Sequence, residues 1–183
     1  MEEQRAGDWH EVSHTERVAR WENVERVYLS LDEHARAKHF DMEHWILSND
    51  CGTVGCIAGH CALDPYFRNL GLRPTEIKTE SGETLYYEGR IPYIARSILG
   101  WDGFERVLRY ADYMNEERRK RDASDQPYEE IKAPTWEQMG PYLRKFIEDL
   151  KAGKISRCDE NYGRYGYSYT DDEGRVLPIE ERA

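Results

Sequence analysis

The sequence predicts a mainly helical single domain: four or five helices around a buried central helix, with one or two small β-hairpins. Apolar residues recur at spacings of three and four in several long segments, which is typical of amphipathic helices. Residues 54–63 are apolar nearly all round, as in a helix buried inside a domain. Short β-branched and aromatic runs flank a turn near residue 82, which indicates a hairpin. A chain of 183 residues suits one domain.

Residues 40–65 are the centre of this prediction, and their sequence is FDMEHWILSNDCGTVGCIAGHCALDP. Asp50 and Thr53 are both helix-capping residues, and Gly52 allows a tight turn before the helix. The spacing predicts a helix over 54–63 that ends before Pro65, because the residue preceding a proline disfavours helical geometry. Its small residues let another element pack close to its backbone.

Before this segment, residues 1–14 are expected to form a flexible lead-in with Trp9 against the domain. A helix is predicted over 15–38, with Thr15 as its cap. Its apolar face consists of Val18, Trp21, Val24, Val27, Tyr28, Leu31 and Ala35.

After it, a helical turn is predicted to end at Gly71, followed by a hairpin of 76–79 and 84–87. A helix is predicted from Pro92 to Leu99, and another from Asp102 to about Asn115.

The charge-rich residues 116–134 contain two prolines and are predicted to be a loop insert. Thr135 is predicted to cap a last helix reaching Leu150. The helical domain therefore spans 15–153, and the tyrosine-rich residues 154–183 are expected to form a terminal hairpin or tail.

The formal net charge of −10 argues against general binding to a nucleic acid backbone, which requires a basic surface. No apolar run approaches the length that spans a bilayer, and the N-terminal residues lack the apolar region of a secretory signal. We therefore expect a cytoplasmic protein with reduced cysteines, no membrane association and no cofactor.

The cysteines near the central helix allow three interpretations. The first is a metal site formed by Cys51, Cys56 and His60, with Cys61 as a further ligand. Cys56 and His60 lie four residues apart and share a helix face, but Cys61 is about 140° around the helix from Cys56. The chain also lacks the Cys-x-x-Cys pairs of structural zinc sites. The metal interpretation is therefore disfavoured.

The second interpretation is a nucleophilic Cys51, with His39, His44 or His60 as its base. A thiol at a helix N-terminus is stabilised as the reactive thiolate. The sequence Asn49-Asp50-Cys51-Gly52 resembles a local pattern of papain-like and ubiquitin-like-protein peptidases. The resemblance covers only a few residues, and the chain supplies neither their oxyanion glutamine nor their strand-rich half.

The third interpretation, which we favour, is structural. A tight turn and a thin helix that permits close packing account for every residue type in the segment without further assumptions. The motif consists of Phe40, Met42, Trp45, Cys51, Gly52, Thr53, Cys56, Gly59 and His60.

This motif resembles that of an uncharacterised family of phage and bacterial proteins. In that family a Phe-x-Met element precedes Cys-Gly-Thr-x-x-Cys-x-x-Gly-(His/Trp)-Ala, and here Cys61 replaces the usual alanine. Residues 98–101 and 135–150 resemble later elements of the same family. The resemblance implies a small intracellular, phage-encoded protein, and it implies no activity.

These observations favour a non-enzymatic interaction or regulatory protein that binds a host or phage protein. The alternative is a cysteine-dependent hydrolase or transferase with Cys51 as nucleophile. The expected binding surfaces are the 72–92 hairpin, the charged insert and the tail. Their candidate contact residues are Tyr86, Tyr87, Tyr165, Tyr167 and Tyr169.

Overall fold

A computed structural model describes residues 9, 11–49, 52–123 and 131–155 of the protein. The predicted class is confirmed, since the chain is mainly helical with a small β component. The helices are α1 (His14–Ser30), α2 (Glu33–His39), α3 (Ile57–Leu63), α4 (Pro65–Asn69), α5 (Ile91–Leu99), α6 (Trp101–Gly103), α7 (Ala111–Ala123) and α8 (Trp136–Lys151), and a π-helical turn spans Phe104–Leu108. The strands are β1 (Leu47–Asn49), β2 (Gly52–Val54), β3 (Thr75–Lys78) and β4 (Thr84–Tyr87). None of the helices in the described ranges is both long and apolar enough to cross a membrane.

The prediction of one helix over 15–38 is wrong at Leu31, where the backbone becomes extended. Asp32 then caps α2 by accepting a hydrogen bond from the Ala35 amide at 2.8 Å. An aspartate side chain competes for backbone amides and so favours starting a new helix over continuing the old one. Ser13, rather than Thr15, caps α1, so the predicted lead-in of 1–14 ends before this residue.

The central helix begins later than predicted. Residues 52–54 form β2 and pair with β1 in antiparallel register, so α3 starts only at Ile57. Pairing with a neighbouring strand outweighs the local capping signal of Thr53. Residues 50 and 51, which link the two strands, lie outside the described part of the chain.

The predicted hairpin is confirmed as β3 and β4, with Glu76 opposite Tyr86 and Lys78 opposite Thr84. It also joins the central segment, because Leu47 of β1 pairs with Tyr87 of β4. The four strands form one antiparallel sheet in the order β2-β1-β4-β3. The predicted helical turn is α4, and Gly71 follows it with a φ of +90°.

The helix predicted over 102–115 is divided into α6, the π-helical turn and α7, with a break at Tyr110, whose φ is +45°. Helix α7 continues to Ala123, so the prediction of a loop over 116–134 is wrong for residues 116–123. Lys120 forms ion pairs with Glu116 and Glu117 one turn earlier, which favours the helix. Residues 124–130 and 156–183 lie outside the described part of the chain.

The last helix matches its prediction, and Thr135 and Gln138 form a reciprocal capping box. It continues through Pro141 without interruption. Its apolar face joins those of α1, α3 and α5 in one core, with Trp21 fully buried. Trp9 is also buried, and its amide donates to the Ser97 carbonyl at 2.8 Å.

Candidate functional site

Residues 39–46 wrap around the start of α3. Gly55 forms a parallel bridge with Phe40, and the Cys56 amide donates to the His44 carbonyl at 2.8 Å. Gly59 lies directly against this segment, because a Cβ atom there would stand 1.7 Å from the Trp45 carbonyl oxygen. The glycine is therefore required for the close approach that the sequence predicted.

Cys56 and Cys61 are both buried in the core. Burial raises the pKa of the Cys56 thiol to about 11 and raises the pKa of the Cys61 thiol well above its usual value. Both are therefore protonated near neutral pH, which makes them poor nucleophiles. In the described ranges, no group of three or more His, Cys, Asp or Glu side chains is arranged to hold a metal ion.

Cys51 lies outside the described residues, but the helix start that was expected to activate it does not follow it directly. Strand β2 intervenes, and the residue at the N-cap of α3 is the buried Cys56. The cysteine at the helix N-terminus is therefore Cys56, and its burial keeps the thiol protonated.

His60 makes a structural hydrogen bond through one of its ring nitrogens. Its Nε2 lies 2.9 Å from the His39 carbonyl oxygen, so Nε2 carries the proton and donates. The ring stacks on Phe40 at an interplanar angle of 5°. Burial lowers the pKa of His60, while the carbonyls of His39 and Gly55 oppose that shift. The neutral imidazole thus ties α3 to the end of α2.

His44 is arranged differently, with its side chain 51% exposed. Its Nδ1 lies 2.8 Å from Oδ2 of Asp41, and Oδ1 of the same carboxylate accepts a hydrogen bond from the Glu43 amide. The carboxylate is therefore held in place on both oxygens and orients the imidazole. Of the predicted base candidates, His44 has the geometry of an oriented and accessible base. His39 instead directs Nδ1 to the Thr53 carbonyl at 3.0 Å.

Near these residues lies a cleft of about 910 Å³ between α2, the loop that follows it and the start of α8. Its wall has apolar parts, formed by the half-buried Phe40 and Trp136 and by the buried Met42 and Pro134. We call it the α2–α8 cleft. The residues that line it are Glu33, Arg36, Ala37, Phe40, Asp41, Met42, Glu43, Lys132, Ala133, Pro134, Thr135, Trp136 and Glu137.

One wall of the cleft is a three-layer stack. The Trp136 ring lies parallel to Tyr28, with centroids 4.4 Å apart, and the Arg36 guanidinium lies 3.6 Å from its centroid. The Trp136 Nε1 donates to the Tyr28 carbonyl at 3.0 Å, and the Tyr28 hydroxyl donates to the Trp136 carbonyl. Burial raises the pKa of Tyr28 to about 12, so its hydroxyl stays a donor at neutral pH. Stacking and reciprocal hydrogen bonds make this wall rigid.

Of the predicted binding tyrosines, Tyr86 and Tyr87 lie on β4 and do not line the cleft. Tyr86 packs against the core, whereas Tyr87 is 41% exposed beside the exposed Ile77 on the same face of the hairpin. Tyr165, Tyr167 and Tyr169 lie outside the described residues.

The sequence does not predict the cleft. Phe40 and Met42 belong to the predicted central motif, whereas Arg36 and Trp136 fall within predicted helices and have no predicted functional role. No local pattern connects residues 33–43 with residues 132–137. The one sequence feature that could have indicated this cleft is the tryptophan directly after the cap of α8.

Comparisons of the chain with protein families, with curated proteins and with solved structures gave no match.

Proposed function

We propose that this protein is a non-enzymatic interaction protein that holds a segment of a protein partner in the α2–α8 cleft. The observation that carries the proposal is the cleft itself: a preformed depression with apolar surface and charged residues at its margin. This composition is typical of binding sites, because apolar surface supplies affinity and a few polar groups fix the orientation of the bound molecule.

The rigid wall supports the same proposal. Trp136 and Arg36 are already held in one geometry by Tyr28 and by a hydrogen bond from Arg36 Nε to the Leu31 carbonyl at 2.7 Å. A partner that contacts them does not have to order these side chains, which reduces the entropic cost of association.

A substitution inside the cleft tests the proposal. Ala37 is exposed and lines the cleft, so Ala37→Trp should fill the space without disturbing the core. Capture of partners from a host lysate should fall by about tenfold or more, because the bulky ring excludes them. Ala152→Trp is the matched control: Ala152 is exposed at the opposite end of α8, roughly 24 Å along its axis.

A photo-crosslinking amino acid in place of Ala37 should attach to the same partner, and mass spectrometry would then identify it. Equal capture by the wild type and by Ala37→Trp, with no crosslink from position 37, would contradict the proposal. The resemblance to phage and bacterial proteins supports a phage-encoded origin and a cytoplasmic host or phage protein as the partner.

The second candidate function is a cysteine-dependent hydrolase or transferase with Cys51 as nucleophile. It is supported by the Asp41–His44 pair, in which Nδ1 faces the carboxylate and Nε2 is available to accept a proton.

Native-state alkylation mapped by peptide mass tests this candidate. Cys56 and Cys61 should react only after denaturation, because both are buried and protonated. If Cys51 is an activated nucleophile, it should react well below about pH 8, and His44→Gln should slow it. This candidate would be eliminated if Cys51 is alkylated no faster than glutathione and if His44→Gln leaves that rate unchanged.

A further inference from the structure

The α2–α8 cleft carries an unequal distribution of charge. Its lining includes four carboxylates, on Glu33, Asp41, Glu43 and Glu137, against the cations of Arg36 and Lys132. The carboxylates come from three parts of the fold: the first turn of α2, the loop after it and the first turn of α8.

Arg36 keeps its positive charge, but its guanidinium is held by other contacts. Its guanidinium lies flat on the Trp136 ring, and its Nε donates to the Leu31 carbonyl. Within the part of the chain that the structure describes, none of the four carboxylates has a lysine or arginine nitrogen within 4.0 Å. The ion partner of Asp41 is His44, which is charged only when protonated.

We infer that the segment held in the cleft is a cationic one, in which lysine or arginine residues alternate with apolar residues. This inference rests on the proposed function. The apolar side chains would contact Phe40, Met42 and Trp136, while the cations would reach the carboxylates on the rim. The net charge of −10 would also accelerate the approach of such a partner.

An anionic segment is the rival occupant, because Lys132 and the N-terminus of α8 also face the cleft. The capping box already engages part of the first turn of α8. Thr135 Oγ1 accepts from the Gln138 amide, and the Gln138 side chain accepts from the Thr135 amide at 2.8 Å. The carboxylate of Glu137 stands in the same turn and would repel an anion.

The test measures the anisotropy of two labelled short peptides with the full-length chain. Both peptides contain the same leucine and tyrosine residues. One carries lysine and arginine between them, and the other carries glutamate and aspartate. The cationic peptide should bind, and the double substitution Glu33→Gln/Glu43→Gln should raise its Kd by about five- to tenfold. Its Kd should also rise with salt.

Two controls locate the binding. Glu80→Gln/Glu83→Gln removes two exposed carboxylates from the β3–β4 turn and should leave the Kd within roughly twofold of wild type. Ala37→Trp should abolish binding of the cationic peptide. If either cleft variant leaves the Kd unchanged, the peptide is attracted only by the acidic surface and the inference is overturned.

The outcomes separate this inference from the proposed function. Preferential binding of the anionic peptide, lost in Ala37→Trp, would overturn the cationic occupant and leave the cleft as a binding site. Binding of neither peptide would also overturn the inference. The crosslink from position 37 would then decide the proposed function independently.

Discussion

At the scale of the residue, polar atoms inside this protein hydrogen-bond to backbone carbonyls of distant elements. Trp21 Nε1 donates to the Leu99 carbonyl at 2.9 Å, and Arg20 Nη1 donates to the Ile98 carbonyl at 2.8 Å. His60 makes the corresponding bond to His39. A buried donor left without a partner costs about 1–3 kcal/mol, so these bonds also specify how α1 docks on α5 and how α3 docks on the end of α2.

His60 should make the stability of the protein depend on pH. Burial lowers its pKa in the folded state below the value of about 6.5 in the unfolded chain. Between the two values the unfolded chain binds more protons, so stability should fall as the pH drops below about 6.5. Urea unfolding at about pH 7.5 and about pH 5 should show a smaller loss for His60→Gln than for the wild type.

Glutamine retains a donor for the His39 carbonyl but does not titrate in this range. The same substitution at His34, which is exposed on α2, is the control and should preserve the wild-type dependence. An equal loss for the wild type and His60→Gln would show that His60 does not carry the effect.

At the scale of the element, α3 determines how closely the centre of the fold can pack. The seven-residue helix presents Ala58, Gly59 and Ala62 as buried small residues. Gly59 allows the backbone at Trp45 to lie directly on the helix. This contact holds the loop that leads from α2 into β1, and with it one side of the α2–α8 cleft.

Gly59→Ala should therefore destabilise the protein by about 1–3 kcal/mol through overpacking. Alanine is the better helix former by about 1 kcal/mol, so the steric effect must exceed that gain. Its Cβ would meet the Trp45 carbonyl oxygen, a backbone atom that cannot rotate away. Thermal unfolding should show a lower midpoint for Gly59→Ala and a still lower one for Gly59→Leu. A midpoint equal to or above that of the wild type would contradict this packing.

At the scale of the whole molecule, one core connects distant parts of the chain. Trp9 from the N-terminal segment packs over Gly100, whose φ of +83° and lack of a side chain make room for the indole ring. Arg17 Nε donates to the Trp9 carbonyl at 2.8 Å, and its guanidinium lies 5.2 Å from the centroid of the ring. Met42 belongs to the same core, and Phe40 and Trp136 pack against it, so the core supports both walls of the α2–α8 cleft.

The sequence by itself determined the helical class, α5, the β3–β4 hairpin and α8 with its cap. These features depend on periodicity, turn residues and caps, which act between residues close along the chain. Only the tertiary structure decided that β2 precedes α3, because strand pairing outweighed a local capping signal. It also decided the α2–α8 cleft, because packing brought Arg36 onto Trp136, which is one hundred positions later in the chain. Contacts at that separation depend on how whole elements pack, and local patterns carry no information about them.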